Sequence, residues 1–294
     1  MAERYAGISD AVLFGKETTF GTEASTYDID IPYIQSFSWT VDFSVKQIAS
    51  LGAGVKYVAN IDGVKSISGS MEWLVADGSE FEMMLGASTV ESGTRTITIA
   101  NTLPSYSAKA QKDATNALKF LGLKFGSLSL SIAKGEEFRA SADWVAKSIT
   151  KVAENVSQTS PTAEPFIFTQ GTVKIGGTVV AGVDTIRISL TRDIEGVRGI
   201  EDAGSDEVSA IVEKMAKITF TSTIQVTDQD LWDTIANRTD TTLDLVFTNG
   251  TKTLTVSLTG VRISRYAQEA SAEADVRTYD LDGSALDMVI TIEG

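Results

Sequence analysis

Carboxylates are the side chains with the most scope for chemistry in this chain, which carries 39 Asp and Glu among its 294 residues. Paired acids can serve glycoside hydrolysis, one as general acid and the other as nucleophile or base, or can hold Ca²⁺ or Mg²⁺. Their spacing supports neither use. Asp280-Leu281-Asp282-Gly283 is too short for an EF-hand ligand ladder and reads as an acidic turn, and Glu269, Glu273 and Asp275 read as a solvated loop. The chain also has no Cys and no His, which removes thiolate nucleophiles, disulfides, imidazole bases and the commonest metal ligands together. No catalytic site, cofactor or metal is expected.

Other features that could bind ligands have simpler explanations. Trp39, Trp73, Trp144 and Trp232 could stack on a ligand, but each sits in an alternating strand or on an apolar helical face, where core packing is the expectation. Gly171 to Gly182 lacks the Gly-Lys-Ser/Thr ending and following helix of a phosphate cradle, so a hairpin turn is expected there. Gly52-Ala53-Gly54 reads as loop flexibility. Net charge is −14, with about −4 in residues 1 to 150 and about −10 in the remainder. Such a chain is poorly suited to holding nucleic acid, since binding rests on Lys and Arg neutralising phosphates, though a negative surface can let nucleic acid pass without sticking.

The elements that would position any site are mainly strands. Phe37, Trp39, Val41, Phe43 and Val45 alternate with polar residues, the period of a strand with one buried face. The pattern recurs: residues 34 to 85 lie on 185 to 236 without a gap, at an offset of about 151, placing Ile67, Val75 and Asp77 on Ile218, Val226 and Asp228. Phe37 then falls on Ile188, and Phe81 on Trp232. Each copy is read as a strand, a long loop (Val45 to Lys65; Gly196 to Ala216), a second strand and a short amphipathic helix. Asp77-Gly78-Ser79-Glu80 and Thr227-Asp228-Gln229-Asp230 look like helix starts in which a polar cap and an acid satisfy the first amides. Thr94–Ile99, Leu118–Phe125, Leu128–Ile132 and Phe138–Val145 complete the first half. Leu243–Phe247, Thr253–Leu258, Val261–Ser264, Val276–Leu281 and Met288–Ile292 complete the second, with a tight turn at Asn249-Gly250. The polar stretch from Asn155 to Pro165 holds two of only 4 Pro and marks a boundary. The start, Met1-Ala2-Glu3-Arg4-Tyr5, leads into no apolar core of a secretory signal, and no apolar run is long enough for a membrane span.

This order of elements, with the run Phe14-Gly15-Lys16-Glu17-Thr18-Thr19-Phe20-Gly21-Thr22 near the start, resembles the tail tube proteins of long-tailed viruses of bacteria and archaea. The resemblance implies a mostly β fold of two tandem tail-tube-like β-sandwich or barrel domains, residues 1–160 and 161–294, each with a short flanking α-helix and a long inter-strand loop. It further implies a non-enzymatic structural protein of the virion tail, made in the host cytoplasm, whose rings stack into a tube that conducts viral DNA. Members of this family usually form hexameric rings, so a chain with two copies would close a ring as a pseudo-hexameric trimer. The implied partners are further copies of the chain, a tape-measure protein, tail terminator and tail tip proteins, and DNA in transit without specific binding. A capsid or baseplate component, or an adhesin, is the alternative.

The two long loops differ in charge where their flanks agree. Residues 44 to 66 carry Lys46, Lys56 and Lys65 against Asp62, about +2. Residues 195 to 217 carry Glu195, Glu201, Asp202, Asp206, Glu207 and Glu213 against Arg198, Lys214 and Lys217, about −3. Either these are solvated loops whose charges diverged, or each docks on a surface of opposite sign in a neighbouring ring or subunit, where such pairs set register and partner choice. On the second reading Lys46, Lys56, Lys65, Glu201, Asp202, Asp206, Glu207 and Glu213 are the contact residues.

Overall fold

Alternation of apolar and polar residues is carried through into strands over nearly the whole molecule. The computed structural model describes residues 11–49, 57–113, 115–158, 163–197, 207–225, 239–250, 252–269 and 278–294. Strands are numbered in chain order. The central layer is an eight-stranded sheet in the order β3 (Ile34–Ala49), β4 (Tyr57–Leu74), β10 (Arg139–Ala146), β9 (Ser127–Ala133), β14 (Val183–Thr191), β17 (Lys217–Gln225), β20 (Thr278–Ala285) and β19 (Thr253–Glu269). Every neighbouring pair in it is antiparallel.

Two outer sheets cover one face of this layer. The first is β2 (Ile29–Asp30), β1 (Val12–Lys16), β7 (Tyr106–Asp113), β8 (Asn116–Phe125) and β11 (Ser148–Val152). The second is β13 (Thr178–Val179), β12 (Gly171–Ile175), β18 (Thr241–Thr248), the first half of β19, β21 (Asp287–Glu293), β6 (Thr94–Ile99) and β5 (Gly86–Glu91). A separate hairpin pairs β15 (Ile194–Val197) with β16 (Ala210–Glu213). Between β4 and β5, a 3-10 turn (Ser79–Phe81) leads into the single helical turn α1 (Glu82–Leu85). Among the described residues the architecture is a β-sandwich with one short α-helix.

The covered face explains the alternation. Met71, Trp73, Ala142, Trp144, Leu128, Leu130, Ile188 and Phe220 point into the sandwich and are buried. Ring stacking adds order: Phe37 lies on Trp144 with centroids 5.2 Å apart, and Phe138 on Phe247 at 4.7 Å. One apolar cluster contains residues of both halves of the chain, and the β9–β14 and β6–β21 ladders also join them.

The same order of ladders occurs twice. β8 and β19 each carry a left-handed glycine, Gly122 (φ 66°) and Gly260 (φ 60°), where a Cβ would strike Lys147 and Leu286 respectively. Those two residues are the single-residue links from β10 to β11 and from β20 to β21, and they make matching backbone bonds. Lys147 N–H donates to Leu121 O at 2.9 Å, and Leu286 N–H to Thr259 O at 3.0 Å. The bulge at Ile34/Ser36 on the β3–β4 ladder matches that at Val183/Thr185 on the β14–β17 ladder. These matches pair Phe37 with Ile186, not with the Ile188 of the ungapped alignment. The two-residue difference preserves which face each side chain takes, so apolar matching along the sequence is blind to it.

Several expectations are corrected. The stretch Val45 to Lys65 is no loop, since β3 and β4 continue as one hairpin to Ala49 and Tyr57. Residues 194–197 and 210–213 of the second stretch are likewise paired strands. Asp280-Leu281-Asp282-Gly283 lies inside β20, not in a turn, and Thr253 to Ser264 belongs to one strand that passes from the second outer sheet into the central one. The capping box at Asp77 is absent: Gly78 is the N-cap, with no side-chain cap bond. Glu80 turns inward instead, where the Trp73 indole N–H donates to its Oε1 at 2.9 Å. Trp73 and Trp144 are core residues, whereas Trp39 is 39% exposed on an edge strand. The turns at Gly176-Gly177 and Asn249-Gly250 form as expected, with φ of 58°, 78° and 86° at the three glycines. Trp232, the second helix start, Gly52 to Gly54, Glu273 and Asp275 lie outside the described residues.

Candidate functional site

The open face of the central sheet is the most distinctive surface. Ladder register puts on it Ser36, Ser38 and Thr40 of β3 opposite Glu72, Ser70 and Ser68 of β4. It continues as Ser127, Ser129 and Ser131 of β9 opposite Thr191, Ser189 and Arg187 of β14, then Thr219, Thr221 and Thr223 of β17. These hydroxyls bond across the strands. The Ser38 and Ser70 Oγ atoms are 2.8 Å apart, Ser127 Oγ donates to Asp143 Oδ2 at 2.7 Å, and Thr223 Oγ1 donates to Asp280 Oδ1 at 2.8 Å. Arg187 Nε donates to Ser129 Oγ at 3.0 Å.

Charges on this face come in both signs. Asp42, Glu72, Asp143, Asp280 and Asp282 are among the acids placed there by register, and Arg139, Arg187, Lys217, Arg262 and Arg265 among the bases. Arg139 reaches Glu72 at 3.6 Å and Arg265 reaches Asp282 at 3.3 Å. Both signs of charge are therefore interspersed on this face. Part of the face forms an open hollow of about 770 Å³, lined among others by Ser38, Ser127, Asp143, Asp193, Glu195 and Lys214.

The sheet ends on two strand edges. Among the described residues β3 pairs only with β4, and the Arg265–Glu269 part of β19 only with β20. Because successive strands alternate in direction, β3 and β14 run the same way, so the β3–β4 and β15–β16 hairpins leave the same end of the sheet. The first hairpin shows solvent apolar side chains, with Phe43 61% and Tyr57 62% exposed and Val45 and Ile61 also open.

The expected contact residues are scattered across this arrangement. Lys46 is exposed on β3, and Lys65 on β4 sits with its Nζ 5.9 Å from the Phe43 ring centroid. Glu207 lies just before β16. Lys56, Glu201, Asp202 and Asp206 fall outside the described residues. Glu213 is turned into its own chain: Lys124 Nζ lies 2.5 Å from Oε1, and Arg192 Nη1 3.5 Å from Oε2, with all three side chains at most 10% exposed. Leu103 N–H also donates to Glu213 Oε2 at 2.8 Å, and Arg192 Nη2 donates to Ala100 O at 2.9 Å. This network fastens the base of the β15–β16 hairpin to the body of the molecule.

Glu17, within the glycine- and threonine-rich run, is a second buried acid with a structural task. Its carboxylate accepts from Gly21 N–H and Gly122 N–H, both at 2.8 Å, and from Ser107 Oγ at 2.9 Å, pinning the segment after β1 across β7 and β8. Sequence reasoning passed over these anchors and the hydroxyl face. The face had a signal in the run of Ser and Thr at alternate positions of five strands; the anchors had none, because their partners are far apart in sequence. Among the described residues no cluster of acids is arranged to hold a metal ion, and no helix is long and apolar enough to cross a membrane.

A family model described as phage tail tube protein matches residues 7–285. No curated protein sequence matches the chain.

Proposed function

The chain belongs to the phage tail tube protein family, and on that premise we propose that it forms the tail tube by stacking of trimeric, pseudo-hexameric rings that conduct viral DNA during ejection. The observation that carries this reading is the central sheet, in which eight antiparallel strands end on two open edges with one face covered and the other hydroxylated. Open edges of this kind invite pairing with another chain, and closure into a ring removes them. The two rounds of ladders support taking residues 1–160 and 161–294 as two copies of one tube domain, so three chains supply six. Three such sheets give about 24 strands. At about 4.8 Å between strands and a tilt of about 40°, the backbone barrel is roughly 50 Å across.

In this ring the outer sheets lie outside and the hydroxyl face lines the bore. The bore then carries charges of both signs. Several of its hydroxyls already bond within the wall, and Arg139, Arg262 and Arg265 are held by acids, which leaves fewer cations free to displace counterions from a passing phosphate backbone. Two hairpins leaving one end of the sheet are placed to reach the next ring. Tape-measure, terminator and tip proteins are the partners at the ends of the tube. The protein acts in the virion tail after synthesis in the host cytoplasm, and its role is mechanical, with no catalytic step.

Negative-stain microscopy of the concentrated purified protein tests this directly: tubes with a regular axial repeat are expected, and discrete particles at every concentration would overturn it. Charge reversal of Lys46, Lys56 and Lys65 to Glu is expected to weaken stacking most at low salt, since exposed pairs contribute about 0 to 1 kcal/mol each and are screened. Unchanged tube lengths at both low and high salt would leave these lysines without a role. Replacing Ser68 and Thr219 by Lys is expected to preserve tubes while making them retain duplex DNA in a salt-dependent manner, read as co-sedimentation.

A further inference from the structure

The two rounds of ladders meet at a junction that can serve as a template for a contact between chains. β9 closes the first round of central strands and β14 opens the second, and they pair with Ser127 opposite Thr191, Leu128 opposite Leu190 and Ser129 opposite Ser189. In the two rounds, β3 corresponds to β14 through the shared bulge, which puts Val41 in the place of Leu190 and Asp42 in that of Thr191. The end of β19 corresponds to β9. Gly122 and Gly260, with their contacts to Lys147 and Leu286, fix that correspondence, and carrying it along the strand puts Tyr266 in the place of Leu128 and Arg265 in that of Ser127.

We infer that β3 of one copy adds to the Arg265–Glu269 edge of the next in the register of the β9–β14 ladder: Asp42 opposite Arg265, Val41 opposite Tyr266 and Thr40 opposite Ala267. This rests on the tube reading and specifies its interface. Two features independent of the correspondence agree with it. Asp42 and Arg265 bear opposite charge on the same, hydroxylated face, and Asp42 makes no ion pair among the described residues while Arg265 already holds Asp282 at 3.3 Å. On the other face Val41 and Tyr266, both half-buried, meet over the sandwich interior, extending the row that Leu128 and Leu190 form at the internal junction. A shift by one residue would set charged groups against the core, and a shift by two would separate Asp42 from Arg265.

The absence of cysteine makes the register readable by cross-linking. Facing residues on antiparallel strands lie within disulfide reach, so tubes of the double variant Thr40→Cys, Ala267→Cys are expected to yield covalent dimers and trimers on oxidation, running as a ladder in denaturing gels. The slipped pairs Ser38→Cys with Ala267→Cys and Asp42→Cys with Ala267→Cys are expected to cross-link at least tenfold less. Tubes that form normally but cross-link equally or better through a slipped pair overturn this register and leave the tube reading intact. If the unaltered chain forms neither rings nor tubes, the tube reading itself falls, and the register with it.

Discussion

Replacing Glu213 by Gln is expected to destabilise the protein by about 3 to 5 kcal/mol, because it strands two buried cations without a counter-charge. Lys124 and Arg192 converge on this carboxylate with 10% and 5% of their side chains exposed. The amide keeps an acceptor for Leu103 N–H but cannot balance either positive charge. The melting temperature should fall by roughly 10 °C, measured by calorimetry on the unassembled chain. Lys124→Met combined with Glu213→Gln should recover part of that loss, since removing both members of a buried pair costs less than removing one. A change below about 1 kcal/mol for Glu213→Gln would show that the pair is solvated and that the β15–β16 hairpin is not held by it.

Glu80 is expected to make stability fall as pH rises through neutrality. Complete burial is the main cause that pushes its pKa up from 4.5 to about 7, against the opposing hydrogen bond from Trp73. Its second oxygen, Oε2, has no hydrogen-bond partner, consistent with a protonated carboxyl. The raised value means that the folded protein holds a proton which the unfolded chain has released. Stability contributed by this group is thus complete below about pH 4.5 and is lost progressively up to about pH 7, by about 3 kcal/mol at 1.36 kcal/mol per pKa unit. Glu80→Gln keeps the acceptor for the Trp73 indole and removes the ionisation. It should therefore match the parent near pH 4.5 and exceed it by a similar amount at pH 8 in urea titrations. Parallel pH profiles for the two proteins would exclude this account.

The strands were the legible part of this fold. Alternation in Ile186 to Leu190 and Ile218 to Ile224 reports a local fact, that one side of each strand is buried, while in Phe37 to Val45 it marks an edge strand on which only Phe37 and Val41 are half-buried; the sandwich follows from having many such strands. Strand extent was less legible where neither face is buried: beyond Phe43 the β3–β4 hairpin is exposed on both sides, so no period marks it and it reads as a loop. β7 escaped notice for the opposite reason, since Tyr106, Ser107, Ala108, Ala110 and Gln111 are buried on both faces and its small residues carry little β signal. The capping motif at Asp77-Gly78-Ser79-Glu80 misled because a buried indole donor competed successfully for Glu80.

The sequence by itself determined the absence of thiol and imidazole chemistry, the β class and the kinship to tail tube proteins, because each of these is written in residue types or in short-range periods. The tertiary structure alone decided register and partnership. A two-residue slip between β3 and β14 leaves every side chain on its proper face, so only the ladders reveal it. Glu213 is joined to residues 21, 89 and 110 positions away, a convergence that chain order cannot encode locally. Net charge gave the sign of the whole molecule, while folding sorted the hydroxyls and charges of both signs onto one face.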